Sequence, residues 1–193
     1  MKKFIYSFIF LILFFETHAT HIVGGFISYS YVPGTASTYN IRLTVYRDCN
    51  SQTPFDGLPN PDPNVPTATP HIFVYDDNGF LVYTIDLQAP DVTTIGPPID
   101  NPCLTNTSGV CVEQGVYEAT YTMPSASQGY TLAYVRCCRN GSITNLFDPG
   151  SQGGTYSAYV PPTNSFHNNS PVFNEFPPIF ICLNAPLKFD HSA

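Results

Sequence analysis

The sequence predicts an all-β protein, an antiparallel β-sandwich of immunoglobulin-like or jelly-roll-like form that is stabilised by disulfide bonds. Three observations predict this class. Aromatic and β-branched residues are abundant, and Gly and Pro recur at intervals that would interrupt helices. Several segments alternate between apolar and polar residues with the two-residue period of a half-buried strand. The chain also holds six cysteines, an even number that in an exported protein indicates disulfides.

Residues 1–19 are predicted to be a secretory signal peptide. Lys2 and Lys3 precede an apolar run of about a dozen residues, shorter than the ~20 residues that a membrane-spanning helix needs. Small residues at Thr17 and Ala19 suit cleavage after Ala19. A retained N-terminal anchor is the alternative. The chain is therefore expected to be secreted or displayed on the cell surface.

One β-sandwich module is expected over residues 20–183, because that length suits a single sandwich domain. Residues 184–193 are expected to be a linker or the truncated start of a following domain. No second apolar stretch reaches spanning length, so membrane insertion is not expected after signal cleavage. A net charge of −7 with only seven Lys and Arg residues argues against binding to nucleic acid or to an anionic lipid surface.

The first two strands are predicted at Ile22–Tyr31 and Tyr39–Arg47. Gly24 and Gly25 indicate a β-bulge near the start of the first strand. The second strand alternates most clearly. Four apolar residues should point to one face, expected to be the core: Tyr39, Ile41, Leu43 and Val45.

A Pro-rich segment, Thr53–Pro70, is predicted to be a long exposed loop, because proline cannot donate to a β-ladder. A hairpin follows, with strands at His71–Tyr75 and Phe80–Leu87. Its turn is Asp76-Asp77-Asn78-Gly79, in which Asn-Gly supplies the positive φ angles of a tight turn.

A second Pro-rich loop is predicted at Pro90–Pro102. The remaining strands are predicted at Gly115–Met123, Tyr130–Cys138, Thr155–Val160 and Pro178–Leu183. In the second of these, Tyr130, Leu132, Tyr134, Arg136 and Cys138 share one face, and the alternate residues share the other. About eight strands at this spacing are typical of an antiparallel sandwich.

The six cysteines are Cys49, Cys103, Cys111, Cys137, Cys138 and Cys182, which allow fifteen sets of three disulfides. A Cys103–Cys111 bond is favoured, because it would close a small loop. Adjacent cysteines in an extended strand project to opposite faces, so Cys137 and Cys138 are expected to pair with Cys49 and Cys182 in an order that stays open. A vicinal disulfide is the alternative. A zinc site is disfavoured, because no C-x-x-C pair or histidine cluster accompanies the cysteines.

No catalytic residues are predicted, and an enzyme is not expected. Beyond the signal peptide the glutamates are Glu113, Glu118 and Glu175, and the first two are five residues apart, which would place them on opposite faces of one strand. The motifs of serine hydrolases, zinc proteases and nucleotide-binding loops are absent from the sequence. Oxidised cysteines would not serve as nucleophiles.

Two weaker hypotheses concern ligands. Asp76, Asp77 and Asn78 offer oxygens for calcium, although the hairpin turn already accounts for them; no other cofactor is expected. Aromatic rings can stack on sugars, and Tyr46, Tyr75, Tyr121 and Tyr134 are candidates for such a ligand face. The alternative for these tyrosines is that they fill the core or cover a sheet.

Several segments together carry a family resemblance. They are Thr20-His21-Ile22-Val23-Gly24-Gly25, residues 43–49, 101–103 and 110–113, Arg136-Cys137-Cys138-Arg139-Asn140-Gly141, and residues 169–173 and 177–182. This set resembles the N-terminal region of large secreted Bacteroidota proteins that carry PKD or other immunoglobulin-like repeats and a gliding-motility-type C-terminal sorting domain. Residues 189–193 are similar to the entry of a following Asp-rich repeat. The resemblance implies export by the type IX route and display on, or release from, the cell surface.

The function expected from the sequence is therefore that of a non-catalytic structural or adhesion module of a bacterial surface protein, serving adhesion, envelope architecture or gliding-related contact. Its expected partners are other domains of a larger surface protein, with glycans or cell-envelope proteins as further candidates. The alternative function is that of a carbohydrate-binding module in a secreted polysaccharide-degrading protein.

Overall fold

The structure is a computed structural model that describes residues 22–51, 53–95, 111–125, 127–141, 143–164, 166–174, 184, 186–190 and 192–193. The predicted signal peptide and the predicted strand at 178–183 lie outside the described residues, as do Cys103 and Cys182.

The described residues form eight strands in two four-stranded antiparallel sheets. The strands are β1 (Ile22–Tyr31), β2 (Thr38–Asp48), β3 (His71–Asp76), β4 (Leu81–Asp86), β5 (Asp91–Ile95), β6 (Val112–Thr122), β7 (Tyr130–Arg136) and β8 (Gly154–Val160). The first sheet has the order β1-β2-β6-β5, and the second has the order β4-β3-β7-β8. Within the described ranges the helical structure is one 3-10 turn, Pro149–Ser151, and no helix there is long and apolar enough to cross a membrane.

The strand order is that of an immunoglobulin-like sandwich. If β1 to β8 are given the letters A, B, C, C′, D, E, F and G, the first sheet reads A-B-E-D and the second reads C′-C-F-G. Tyr130, the first residue of β7, also resembles the tyrosine corner of that fold, because its hydroxyl oxygen accepts the backbone N–H of Ser125 at 2.9 Å. The predicted all-β, disulfide-containing sandwich is thus confirmed, in its immunoglobulin-like form.

The core lies between the sheets and follows the predicted alternation. In β2, the side chains of Tyr39, Ile41, Leu43 and Val45 are at most 1% exposed. The second sheet supplies Ile72, Val74, Leu132 and Val160, each fully buried. Burial of a large apolar side chain stabilises a fold by roughly 1.5–3 kcal/mol, so these facing rows account for much of the stability.

The two local features predicted from glycine are both present. The β1–β2 register shifts between Ile22 and Gly24, as expected of a bulge. In the β3–β4 turn Gly79 has φ +81°, and the Asp76 carboxylate accepts the N–H groups of Asn78 and Phe80 at 2.9 Å. The hairpin prediction is therefore confirmed, and a side-chain cap holds the turn.

Two loop predictions need correction. The predicted loop Pro90–Pro102 contains the short strand β5, which pairs with the edge of β6. Its residues are mostly exposed, so it lacks the apolar alternation that would have revealed it. The Pro-rich segment 53–70 is irregular as predicted, but it is not exposed throughout, since Phe55 and Asp56 are only 1% and 7% exposed.

The favoured Cys103–Cys111 bond is wrong, because Cys111 is bonded to Cys49. Asp48 of β2 lies opposite Val112 of β6, so the residues just beyond this pair meet at the end of the sheet, with a Cα–Cα distance of 5.3 Å. This disulfide joins neighbouring strands of one sheet.

The expected pairing of Cys137 and Cys138 with Cys49 and Cys182 is also wrong, because Cys137 and Cys138 are bonded to each other across a cis peptide bond. Strand β7 ends at Arg136, before both cysteines. The side-chain alternation of an extended strand therefore does not apply to them, and the alternative of a vicinal disulfide is the correct one.

A segment after β8 covers the outer edge of β1. Ser170 and Tyr29 exchange two hydrogen bonds of 2.9 Å, one from each backbone N–H. The Asn169 side chain accepts the N–H of Tyr31, and the His167 ring stacks on the Tyr31 ring at 3.7 Å. This cover removes an open sheet edge, which would otherwise be a site of unwanted strand pairing.

Candidate functional site

Two long loops emerge at the same end of the sandwich. Residues 49–70 connect β2 to β3, and residues 137–153 connect β7 to β8. Each is several times longer than the ~4–6 residues typical of such connections. Cys49–Cys111 and Cys137–Cys138 both lie at this end, which we call the disulfide end.

Phe55 anchors the first loop by packing on a glycine. Its ring is 1% exposed and lies where a Cβ on Gly115 would be, 2.9 Å from the nearest ring carbon. The guanidinium of Arg47 sits 4.9 Å from the ring centroid, within cation–π range. A side chain at position 115 would therefore push the loop away from strand β6.

Arg47 links the loop to both central strands of the first sheet. Its Nε and Nη2 contact Glu113 Oε2 at 2.7 and 2.6 Å, and its Nη1 donates to the carbonyl of Thr53 at 2.5 Å. The side chains of Arg47 and Glu113 are only 15% and 21% exposed. This partly buried pair is less screened by salt than a surface pair.

Asp56 lies at the centre of a second buried cluster. One carboxylate oxygen pairs with Arg136 Nη1, and the other accepts a 2.6 Å hydrogen bond from the Tyr134 hydroxyl. The backbone carbonyl of Asp56 accepts a 3.0 Å bond from the Tyr117 hydroxyl, and Arg136 Nη2 donates to the carbonyl of Pro54. All three oxygens of Asp56 are thus satisfied, and the loop is tied to both sheets.

Burial changes the pKa values in this cluster, but each group keeps the protonation state that its hydrogen bonds require at neutral pH. It raises the pKa of the Tyr117 and Tyr134 hydroxyls above the ordinary value, so both remain neutral donors. Burial, together with the nearby charge of Arg47, lowers the pKa of Arg136 to about 10. Arg136 therefore remains charged at neutral pH and balances Asp56.

The Asp56 cluster is suited to holding the loop and poorly suited to proton transfer. Its carboxylate is about 9% exposed and fully paired. The cleft beside it, lined by loop residues and Arg136, has a volume of about 130 Å³, well below the ~300–1,000 Å³ of a small-molecule site.

Glu113 and Glu118 lie in different environments on strand β6. Glu113 is held by Arg47 at the disulfide end, whereas Glu118 points outward and lies 3.4 Å from Arg42.

The second loop exposes apolar residues on a fixed base. Phe147 is 91% exposed and Leu146 is 39% exposed. At the base, Arg139 donates its N–H to the Gln152 carbonyl at 3.0 Å and its Nε to the Gly153 carbonyl at 3.1 Å. An open hollow of about 530 Å³ lies between base and tip, lined by Arg139, Ile143, Asn145, Leu146, Gln152 and Gly153.

The four tyrosines proposed as a ligand face do not form one. Tyr134 is 2% exposed and bound to Asp56. Tyr121 faces between the sheets and stacks on Tyr83 at 4.9 Å. Tyr46 lies on the outer face of the first sheet, 6.4 Å from the Phe26 ring, and Tyr75 lies on the outer face of the second sheet. The prediction fails because strand alternation divides the tyrosines among three surfaces.

Asp76 and Asp77, two of the three residues considered for calcium, already have protein partners. Asp76 caps its own turn, and Asp77 accepts the N–H of Gly129 and the hydroxyl of Tyr159. Among the residues that the structure describes, no group of three or more His, Cys, Asp or Glu side chains is placed to hold a metal ion.

Sequence reasoning missed Phe55, Asp56 and the importance of Arg136. One signal for them exists: Arg136 shares the core face of β7 with Tyr130, Leu132 and Tyr134. A charge on a core face needs a partner, and Asp56 supplies it from a loop that was expected to be exposed.

Comparison of the chain with protein-family models, with curated proteins and with solved structures finds no match in any of the three.

Proposed function

We propose that this chain is a non-catalytic binding module of an exported bacterial surface protein, and that it contacts its partner through the disulfide end. The observation that carries the proposal is the position of the two long loops in the fold. In immunoglobulin lettering they are the B–C and F–G loops, which variable domains use as binding loops at one end of the sandwich.

The way these loops are held supports a binding role. The Cys49–Cys111 bond, the Phe55 contact and the Asp56–Arg136 pair fix the first loop at several points. Binding by a fixed loop costs less conformational entropy than binding by a mobile one. Phe147, exposed on the second loop, is the kind of aromatic residue that anchors protein interfaces.

Export is supported by different observations. Disulfides persist in oxidising compartments, and the chain contains the Cys49–Cys111 bond. The predicted signal peptide and the resemblance to Bacteroidota surface proteins point the same way. The proposed partners are other domains of the same surface protein or components of the cell envelope.

Beads coated with residues 20–193 would test the proposal by their retention on the surface of the producing bacterium. We expect Phe147→Ser to weaken retention by at least about ten-fold, the typical effect of removing an interface anchor. Phe166→Ser is the matched control, because Phe166 is 60% exposed and lies outside both loops.

Three outcomes would reject the proposal. Absence of retention would reject the binding role, and equal effects of the two variants would move the contact away from the disulfide end. Turnover of a substrate by the purified chain, abolished by a single carboxylate substitution, would show an enzyme instead.

A carbohydrate-binding module is the second candidate function. The observation that favours it is a pair of aromatic residues, Tyr75 and Tyr159, on the outer face of the second sheet. This surface is separate from the disulfide-end loops and does not depend on them.

A further inference from the structure

The outer face of the second sheet carries a row of three aligned residues. Tyr75 of β3 lies opposite Thr131 of β7, and Thr131 lies opposite Tyr159 of β8. Two inter-strand spacings separate the tyrosines, which places them about 10 Å apart on one surface. The row runs across the strands, with a hydroxyl-bearing residue between two aromatic ones.

Tyr159 is held in position while half of its surface stays exposed. Its hydroxyl donates to Asp77 Oδ1 at 3.0 Å, and its ring lies against Gly129, where any Cβ would collide with it. The side chain is nevertheless 51% exposed. The hydrogen bond to Asp77 raises the pKa of Tyr159, so the hydroxyl remains a donor at neutral pH.

The glycine at position 129 also has a role in this arrangement. The Gly129 N–H donates to Asp77 Oδ2 at 2.9 Å, so one carboxylate fixes both the backbone below the ring and the hydroxyl at its end. An aromatic side chain that is already ordered loses little entropy when a ligand stacks on it.

The surroundings of the row contain both apolar and polar residues. Phe73 and Ala133 form the next outward pair on β3 and β7, and Val135 on the same face is 52% exposed. Thr155 and Ser157 are exposed on the same face of β8, and the Asp77 carboxylate lies at the Tyr159 end of the row. The outward positions of β3, β4, β7 and β8, all of which the structure describes, include no Lys or Arg. An acidic polymer would be repelled here, whereas a neutral one would find ring faces and hydroxyl groups.

We propose that this face binds a neutral polysaccharide chain, with Tyr159 and Tyr75 stacking on two of its sugar rings and Thr131 lying between them. The proposal rests on the second candidate function and names its ligand class and its residues. The separation of the tyrosines suits sugar units that lie along one extended chain, and the apolar sides of pyranose rings are suitable partners for aromatic faces.

Affinity electrophoresis in gels that contain a soluble neutral polysaccharide tests this inference. Hydroxyethyl cellulose, galactomannan and arabinoxylan are the probes, and polygalacturonate is the acidic comparison. We expect retardation by at least one neutral probe and none by polygalacturonate. Tyr159→Ala should weaken retardation about three- to ten-fold, in keeping with the loss of one aromatic contact.

Two control variants make the result specific. Tyr159→Phe keeps the ring and should retain most of the affinity. Tyr83→Ala removes a tyrosine of the same 51% exposure from strand β4 and should bind as the unaltered chain does. Circular dichroism of each variant checks that it is folded.

The inference is overturned if no neutral probe retards the chain, or if retardation survives both Tyr159→Ala and Tyr75→Ala. Neither result affects the proposed contact at the disulfide end, because that contact is tested by Phe147→Ser in the bead assay. Failure of the glycan site and failure of the adhesive role are therefore distinguishable.

Discussion

At the scale of single residues, Asp56 has the most demanding environment in the described part of the chain. A carboxylate that is taken out of water costs several kcal/mol unless charges and hydrogen bonds replace the solvent. Here Arg136 and Tyr134 replace it. A buried ion pair such as Asp56–Arg136 adds little net stability compared with an apolar contact of the same size. Removal of one partner is nevertheless costly, because it leaves the other buried and unpaired.

Asp56→Ala should therefore lower the free energy of unfolding by about 3–5 kcal/mol, because Arg136 then stays buried without a counter-charge. Urea denaturation at pH 7 measures this change. The comparison is Glu118→Ala, which breaks an exposed pair whose side chains are 57% and 71% exposed. That variant should lose less than about 1 kcal/mol. Equal losses would show that the Asp56 cluster does not hold the loop.

The core residues of β2 could be predicted from the sequence, whereas the burial of Asp56 could not. Tyr39, Ile41, Leu43 and Val45 could be assigned to the core because alternation is a property of the strand itself. Asp56 could not be assigned, because it lies in a loop and its burial depends on Arg136, a partner eighty residues further along the chain in strand β7. Local pattern predicts which face a residue takes, but not what covers that face.

At the scale of elements, strands with strong local signals were predictable and the weakly marked ones were not. The β3–β4 hairpin is specified by its own turn residues, Asp76 to Gly79. Strand β5 is specified by β6, which offers it a free edge. The Cys49–Cys111 bond has the same origin, since only the β2–β6 register brings these two cysteines together.

The two disulfides should differ in what they contribute to stability. The Cys49–Cys111 bond spans 62 residues, and loss of a cross-link over such a loop corresponds to about 4 kcal/mol of chain entropy. The Cys137–Cys138 bond joins adjacent residues, for which the same relation gives only about 1 kcal/mol. The first bond restricts the unfolded chain, whereas the second restricts only the start of the loop 137–153.

Replacement of Cys49 and Cys111 by serine should therefore lower the free energy of unfolding by about 2–5 kcal/mol. Replacement of Cys137 and Cys138 by serine is the control, because it removes the same number of sulfurs, and its loss should be much smaller. Urea denaturation without reductant gives both values, from the midpoint and the slope of each transition. A larger loss for the Cys137–Cys138 variant would contradict the entropic account.

At the scale of the whole molecule, tyrosine is unusually important to the core. Tyr39, Tyr117 and Tyr130 are among its largest fully buried side chains, and Tyr134 is 2% exposed. Each combines a large apolar ring with a hydroxyl, and three of these hydroxyls bond to loops or turns at the two ends of the sandwich. The core and the ends are thus connected through the same side chains.

Because these tyrosines are buried, the free energy of unfolding should fall at alkaline pH. Burial raises the pKa of Tyr117 and Tyr134 above the ordinary value of 10.0, so the folded chain keeps protons that the unfolded chain releases. The stabilisation that this difference represents is complete below pH 10 and is lost as the pH rises above it. Each of the two residues contributes up to about 1.4 kcal/mol per pH unit in that range.

Urea midpoints between pH 7 and pH 11.5 should accordingly stay level to about pH 9.5 and then fall, although the lowered pKa of Arg136 offsets part of the loss that the tyrosines cause. Lysine contributes little to this fall, because Lys188 is the only lysine beyond residue 3. Tyr134→Phe removes one of the most deeply buried tyrosines with a raised pKa, so its curve should start lower at pH 7 but fall less steeply above pH 10. Phenolate absorbance near pH 10.5 gives a second readout, since Tyr117 and Tyr134 should ionise only when the chain unfolds. An unchanged slope in Tyr134→Phe would mean that water reaches this hydroxyl in the folded protein, and that the Asp56 cluster is more open than its geometry indicates.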